Sequence, residues 1–428
     1  MSENNSKINY SEVNLKERLL KYFMRYTAIA TQSDETSAEV PSTECQWELA
    51  RLLAEDLKEL DLKDIQINDH AVVQGVLPAR LKDDKKKVPA IGWVAHIDTV
   101  DVGLSPEIKA QVHENYQGGD ILQNEEKGIY IRVDEHPELL KYIGQDILIS
   151  DGTSVLGADN KAAIANVMTM LEVLKENPDI EHGEIHIAFV PDEEIGLKGA
   201  HKIDFERFPV DYAYTIDCCE LGEVVYETFN AGSGTLNIQG VSAHPMSSKG
   251  NLVNPIMVAH DFIALLNRGE QPEYTEKTEG YIWVTDIHSD VLECTIKLNI
   301  RDHNKEKYEA KKKYIEEGIK LIQLKHPRAK IELELSDTYG NIADSVTEDN
   351  RQCIDDLYQA LEELEIEPKT IAMRGGTDGS YISTRGILTP NYFTGAHNFH
   401  SVAEFLPMDS FEKACLVTLK LIEISTRD

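Results

Sequence analysis

Apolar positions recur with two periods along the first half of the chain. Helical spacing runs over residues 12 to 27 and 42 to 60. In the second stretch Leu49, Leu52, Leu53, Leu57 and Leu60 form one stripe, and Ser42 or Thr43 offers an N-cap. Residues 64 to 68 and 71 to 77 read as strands, and Lys82 to Lys87 as a polar connection. The run from Val88 to Ala95 is apolar without alternation, as in a strand buried on both faces. Residues 105 to 145 read as an irregular excursion with short strands, and Asp151-Gly152-Thr153 as a hairpin turn between strand-like pieces. Leu156 to Ala163 then opens a helix, with Ile164, Val167, Met168, Leu171 and Leu174 at helical spacing. Asn177-Pro178 ends it, and Asp159 falls at or near its N-cap. Strands follow at 185 to 190 and 211 to 217.

From about residue 227 the pattern changes. A strand at 235 to 241 leads to a helix around 253 to 267, with Pro255 in its first turn. Strands at 281 to 287 and 292 to 301, a charged helix at 304 to 325 and a strand at 330 to 336 complete the order βαββαβ, that of a ferredoxin-like unit. Around 342 the first pattern returns: a helix at 349 to 364, a strand at 369 to 373, a glycine-rich loop, a strand at 391 to 394 and a last helix at 408 to 425. The predicted fold is α/β, a mixed, mostly parallel sheet with flanking helices, interrupted by an inserted ferredoxin-like domain. The expected boundaries are 1–226 and 342–428 for the two parts of the first domain and 227–341 for the insertion. A chain of 428 residues is too long for one compact core, which agrees with two domains.

Charge narrows the function. With 75 acidic against 43 basic residues the net charge is -32. That excludes the basic footprint of a nucleic-acid binder and opposes an anionic membrane surface. The acidity serves solubility and attracts cations, metals among them. The first residues hold no apolar signal core, and no run approaches the ~18 apolar residues of a membrane span, so a cytoplasmic protein is expected. None of the six cysteines lies in a Cys-x-x-Cys pair, which argues against a disulfide framework or a zinc ribbon. Adjacent Cys218 and Cys219 fit either a redox pair or small loop residues in a reducing compartment.

Candidate chemistry gathers at strand ends. His96 and Asp98 follow an apolar run and lie two apart, where a carboxylate can fix the ring of a metal-bound imidazole. Pro191-Asp192-Glu193-Glu194 follows strand 185 to 190 directly, and strand 211 to 217 ends in Asp217. In a parallel sheet such ends share one edge. Asp159 and His400 extend the set. Each has a plain alternative: a solvated acidic turn, a hydrogen-bonded strand-end histidine, a capping aspartate. Converging, they suggest a hydrolytic metal site with N and O ligands for zinc, cobalt or manganese. The loop Arg374-Gly375-Gly376-Thr377-Asp378-Gly379 lacks the Gly-Lys-Ser/Thr ending of a phosphate loop. In the inserted domain His244 and Arg301 are polar landmarks.

The set His96-x-Asp98, Gly157-Ala158-Asp159, Pro191-Asp192-Glu193-Glu194, Asp217 and His400, with Ala243-His244-Pro245, resembles the co-catalytic dizinc peptidases related to aminoacylase and the carboxypeptidases that clip glutamate from folates. The likeness covers nearly the whole chain. It extends to Asn115-Tyr116-Gln117-Gly118-Gly119-Asp120, Glu279-Gly280-Tyr281, Arg374 to Gly379 and Phe393-Thr394-Gly395. Within that family the chain is most similar to the branch that releases the N-terminal residue of tripeptides.

The resemblance implies a zinc-peptidase-like catalytic domain with the insertion as a lid, and two Zn2+ per subunit, with Co2+ or Mn2+ as substitutes. Asp159 would bridge the ions, His96 and Asp217 would hold one, and Glu194 and His400 the other. Glu193 would be the general base, and Asp98 would orient His96. His244 would stabilise the oxyanion, Arg301 would hold the substrate's C-terminal carboxylate, and Arg374 completes the substrate-binding set. Small peptides are the expected partners, along with a homodimer through the lid domain. Two departures bear on the pocket. Met246 stands where His-Pro-Gly is usual, and Cys218 and Cys219 stand where glycines usually follow the ligand aspartate; their thiolates would make the enzyme sensitive to oxidation. The same fold and metals also suit a dipeptidase, a carboxypeptidase or an N-acyl-amino-acid hydrolase. A non-catalytic peptide-binding protein would lack a ligand or Glu193, and none is missing. A redox protein built on Cys218-Cys219 has no supporting motif.

Overall fold

The structure is a computed structural model that describes residues 13–83 and 85–427. The start of the first predicted helix and part of the Lys82–Lys87 connection lie outside the described residues. The described chain divides into two compact units. One takes the residues up to Tyr226, Val346–Ile371 and those from Thr377 on; the other takes Glu227–Ser345 and Ala372–Gly376.

The first unit is built on an eight-stranded sheet in the order Lys63–Ile67, Val73–Leu77, Ile185–Val190, Ile91–His96, Tyr212–Cys218, Asn391–Phe393, Glu223–Glu227, Lys369–Ala372. Ile91–His96 runs parallel to both Ile185–Val190 and Tyr212–Cys218, and Asn391–Phe393 is parallel to the latter. The outer pairs Lys63–Ile67 with Val73–Leu77 and Glu223–Glu227 with Asn391–Phe393 are antiparallel. Every residue of Ile91–His96 and of Ile185–Val190 is buried, the reason their sequences are apolar without alternation. Helix Ala158–Glu176 is buried nearly all round, because it packs on the sheet and also on helices Leu15–Thr27 and Met408–Ser425.

Several local expectations are corrected. Helix Cys45–Glu59 has no side-chain N-cap: the Ser42 amide and hydroxyl go instead to the Asp192 carboxylate, and the Thr43 hydroxyl to the Gln32 carbonyl. Asp151-Gly152-Thr153 makes no hairpin. The Asp151 carboxylate accepts from the Thr153 amide, while strand Ile147–Ile149 pairs with Gln111–His113 and with Phe405–Pro407, a strand that periodicity alone does not reveal. Strand Glu223–Glu227 is also unforeseen, and the end of the glycine-rich loop forms helix Asp378–Thr384.

The second unit has four strands in the order Tyr281–Ser289, Glu293–Asp302, Asn230–Gln239, Lys330–Tyr339, every pair antiparallel. Helices Pro255–Ile263 and Lys305–Lys325 complete the βαββαβ order. Helix Pro255–Ile263 starts as predicted, with Pro255 in its first turn and the Asn254 side chain capping the Ile256 amide. Along Glu293–Asp302, Cys294, Ile296, Leu298 and Ile300 face a core shared with Leu236, Ile238, Phe262, Ile315 and Ile322.

Candidate metal centre

The parallel centre of the first unit's sheet brings His96 opposite Val190, so His96 and the acidic triplet leave the sheet side by side. Asp159 sits in the first turn of helix Ala158–Glu176 with φ -83 and ψ 99, which is not helical. Gly157 precedes the turn at φ +72, a backbone conformation that favours glycine. Asp159 therefore does not act as a cap. Its carboxylate lies between two imidazoles: Oδ1 is 2.9 Å from His96 Nε2, and Oδ2 is 3.0 Å from His400 Nε2. His400 Nε2 is also 3.1 Å from Glu194 Oε2, and His96 Nε2 is 3.9 Å from Asp217 Oδ1. The five predicted ligands thus form one continuous cluster.

The three acids of the triplet have separate environments. Asp192 is wholly buried and accepts from Ser42 and from Gln46 Nε2, at 2.7 Å, which anchors the turn. Glu194 faces His400. No hydrogen bond or ion pair engages the Glu193 carboxylate among the described residues. Asp98 organises both glutamates: its oxygens accept from the Glu193 amide at 3.0 Å and the Glu194 amide at 3.3 Å. His96 Nδ1 lies 3.1 Å from the Asp98 carbonyl oxygen and 3.3 Å from its carboxylate, so Asp98 also sets the imidazole's orientation. Asp217 is held by Asn160 Nδ2 at 3.0 Å and, through its amide, by Asn391 Oδ1 at 2.7 Å.

The electrostatics show a deficit of positive charge. Burial and the surrounding carboxylates push Glu193 and Asp217 well above the usual range, and Glu194 to about 7. Burial likewise pushes Asp378 to about 7. For Asp159 burial is outweighed: His400 and His96 hold it well below its ordinary value. The converse holds for the imidazoles. Against burial, Asp159 and Asp98 raise His96, and Asp159 and Glu194 raise His400 to about 11. Two imidazoles cannot balance this many buried acids.

These residues fit a metal. Glu194 Oε1 and Asp378 Oδ1 are buried without a hydrogen-bond partner. Ligand atoms of His96, Asp159 and Glu194 lie within 4.8 Å of one another. The donors are imidazole nitrogen and carboxylate oxygen, suited to zinc, cobalt or manganese. Burial pushes the Cys218 and Cys219 thiols up.

Sequence reasoning missed three buried groups around this centre. Glu404, 1% exposed, accepts from the Leu156, Gly157 and Asp159 amides; burial and Asp159 push it up to about 8. Lys161 is wholly buried and donates to the Ile29 carbonyl at 2.7 Å, and burial lowers it to about 7. Asp378 opens helix Asp378–Thr384. Its signal was present in Thr377-Asp378-Gly379 without a role attached. Lys161 and Glu404 gave no signal beyond a charged residue beside apolar ones.

His244, Arg301 and Arg374 belong to the second unit. His244 is exposed and caps the turn Pro245–Ser247, its Nδ1 accepting from the Met246 amide. Arg301 Nη1 donates to the Gly232 and Ile300 carbonyls at 2.7 and 2.9 Å. Arg374 donates from Nη1 to the Lys277 and Glu279 carbonyls and from Nη2 to Thr275 Oγ1, and stacks over Phe229 and Tyr281.

A sequence profile of peptidase family M20/M25/M40 matches residues 157–424. The chain belongs to this peptidase family. A peptidase T-like protein of Yersinia pestis is 53% identical over 404 residues, 94% of this chain and 97% of that protein. Peptidase T of Caldanaerobacter subterraneus subsp. tengcongensis is 41% identical over 407 residues, 95% of this chain and 98% of that protein. The crystal structure of aminopeptidase PepT from Bacillus cereus superposes with a TM-score of 0.73 at 22% identity, covering 96% of this chain and 99% of that one. The chain is accordingly a hydrolase, a metal-dependent aminopeptidase with the M20 peptidase fold. Among the described residues no helix is long and apolar enough to cross a membrane.

Proposed function

We propose that this protein is a cytoplasmic aminopeptidase that releases the N-terminal residue of tripeptides, using two zinc ions. The observation that carries the two-ion reading is Asp159, which presents one carboxylate oxygen to each of two imidazoles. His96 with Asp217 would hold one ion and Glu194 with His400 the other, Asp159 serving both. When bound, such a pair of dications lowers the pKa of a shared water and offsets charge on the scissile carbonyl oxygen.

The chain's own residues supply the rest. Glu193, unengaged by its neighbours and pinned through its amide by Asp98, takes a proton from water and returns it to the leaving amine. Its adjacency to Glu194 divides the labour: one glutamate meets His400 and the other remains a base. His244 is assigned to the oxyanion. Arg301 is assigned to the substrate's C-terminal carboxylate, with Nε and Nη2 left by its carbonyl bonds for that contact. Holding both peptide termini would make the site a length ruler.

The test uses metal-stripped protein with and without added zinc, on a free tripeptide, the matching dipeptide and an N-terminally blocked tripeptide. Zinc-restored cleavage of the free tripeptide alone is expected. Cleavage of the blocked peptide would overturn the aminopeptidase specificity in favour of an acylase or carboxypeptidase. Cleavage unaffected by metal removal would overturn the metal reading.

A further inference from the structure

We infer that Glu404 is a positioning residue that joins the two halves of the metal centre, setting the His400 side relative to Asp159; the inference rests on the two-ion reading above. His400 lies in a loop closed by paired backbone hydrogen bonds between His397 and Phe405, at 2.9 and 3.2 Å. Glu404 belongs to this loop, four residues after His400, yet its side chain leaves the loop. Oε2 accepts from the Leu156 amide at 2.7 Å and the Gly157 amide at 2.9 Å, and Oε1 accepts from the Asp159 amide at 3.2 Å. These are amides of the turn that carries Asp159. One buried carboxylate therefore fastens the segment bearing His400 to the segment bearing the shared ligand.

The turn needs an external acceptor. The first amides of a helix have no partners within it. Gly157 has no side chain with which to cap them, and the Asp159 carboxylate is occupied by imidazoles. A local serine or aspartate would satisfy those amides equally well. Supplying the acceptor from the His400 loop adds a distance constraint, which holds His400 Nε2 at 3.0 Å from Asp159 Oδ2. The other half has its own supports. His96 is fixed by Asp98 and its strand, and Asp217 by Asn160 and Asn391. Loss of Glu404 should therefore fall unequally on the two ions. A residue acting only as a helix cap would change stability without separating them.

The experiment is Co2+ titration of the metal-stripped full chain, followed by visible absorption and by stoichiometry after gel filtration, for wild type, Glu404→Gln and Glu404→Asp. Thermal melting of the metal-free forms runs alongside. Wild type should bind two Co2+. Glu404→Gln should bind the first as wild type does and the second roughly 10–100-fold more weakly, the usual cost of losing an outer-shell partner. Glu404→Asp, which keeps the charge at shorter reach, should recover part of that loss. Two ions bound as in wild type, or both weakened equally in step with a lower melting temperature, would overturn the inference. Failure of wild type to bind a second ion would instead overturn the two-ion reading.

Discussion

The two sheets of this chain treat polar groups in opposite ways. In the second unit, strand Glu293–Asp302 alternates: apolar residues face the core and polar ones face away. Among the described residues there, His303 Nδ1 is the one buried side-chain polar atom without a partner. In the first unit the central strands are buried on both faces, and the acids and histidine of the candidate centre, His96, Glu193, Glu194 and Asp217, stand at or just past their ends. Near that edge Asn160 Oδ1, Glu194 Oε1 and Asp378 Oδ1 are buried and unpartnered, and Thr215 Oγ1 and Asn391 Nδ2 are likewise buried and unpartnered on paired strands behind it. A buried polar atom without a partner costs about 1–3 kcal/mol, more if charged. The second unit largely avoids that cost, while the first carries it at many positions, the Glu194 and Asp378 carboxylates beside His96 among them. The difference separates a region organised for stability from one organised to receive a cation and a substrate.

Three substitutions sharpen the contrast. Glu193→Gln should lower kcat on a tripeptide by about 10²–10⁴-fold, the usual contribution of a general base. The melting temperature of the metal-free protein should not fall, because the change removes a buried acid among acids. A lower melting temperature with kcat retained would reverse the assignment. Phe262→Ala, in the second unit's core, should cost about 3–5 kcal/mol of stability while leaving metal stoichiometry unchanged; chemical denaturation and metal analysis check it. The smallest effect concerns His182, a buried histidine of the first unit whose pKa burial lowers from 6.5 to about 4. The unfolded chain takes up this proton first. Its contribution is therefore whole above pH ~6.5 and lost as pH falls toward 4, by up to about 3 kcal/mol. Denaturation midpoints between pH 4 and 7 should show that slope, and His182→Leu should flatten it.

Much of this was legible in the chain. Period and length place the central strands, the helices at 158–176 and 408–425 and the βαββαβ order of the second unit within a few residues. His96, Asp98, Glu194 and Asp217 were visible because they stood where apolar runs stopped, whereas Asp159 read as the opening of a helix and His400 as a loop histidine that completes the set. Local rules failed where distant partners took over. Ser42 reads as a cap, but Asp192 claims its hydroxyl across 150 residues. Asp151-Gly152-Thr153 reads as a hairpin, but strand Ile147–Ile149 finds its partners in Gln111–His113 and Phe405–Pro407. Glu404 had no local signature, since its three donors lie about 250 residues away in sequence.

By itself, then, the sequence determined which residues are candidates for chemistry and which segments are strands or helices. Both follow from side-chain type and short-range periodicity. Tertiary structure decided that Asp192 anchors the turn, and it set the distance at which Glu194 meets His400. It also decided that Asp159 lies between two imidazoles rather than capping its helix. Those outcomes depend on burial and on contacts between segments far apart in the chain, where charges in a low dielectric are worth most and only the folded arrangement sets their distances.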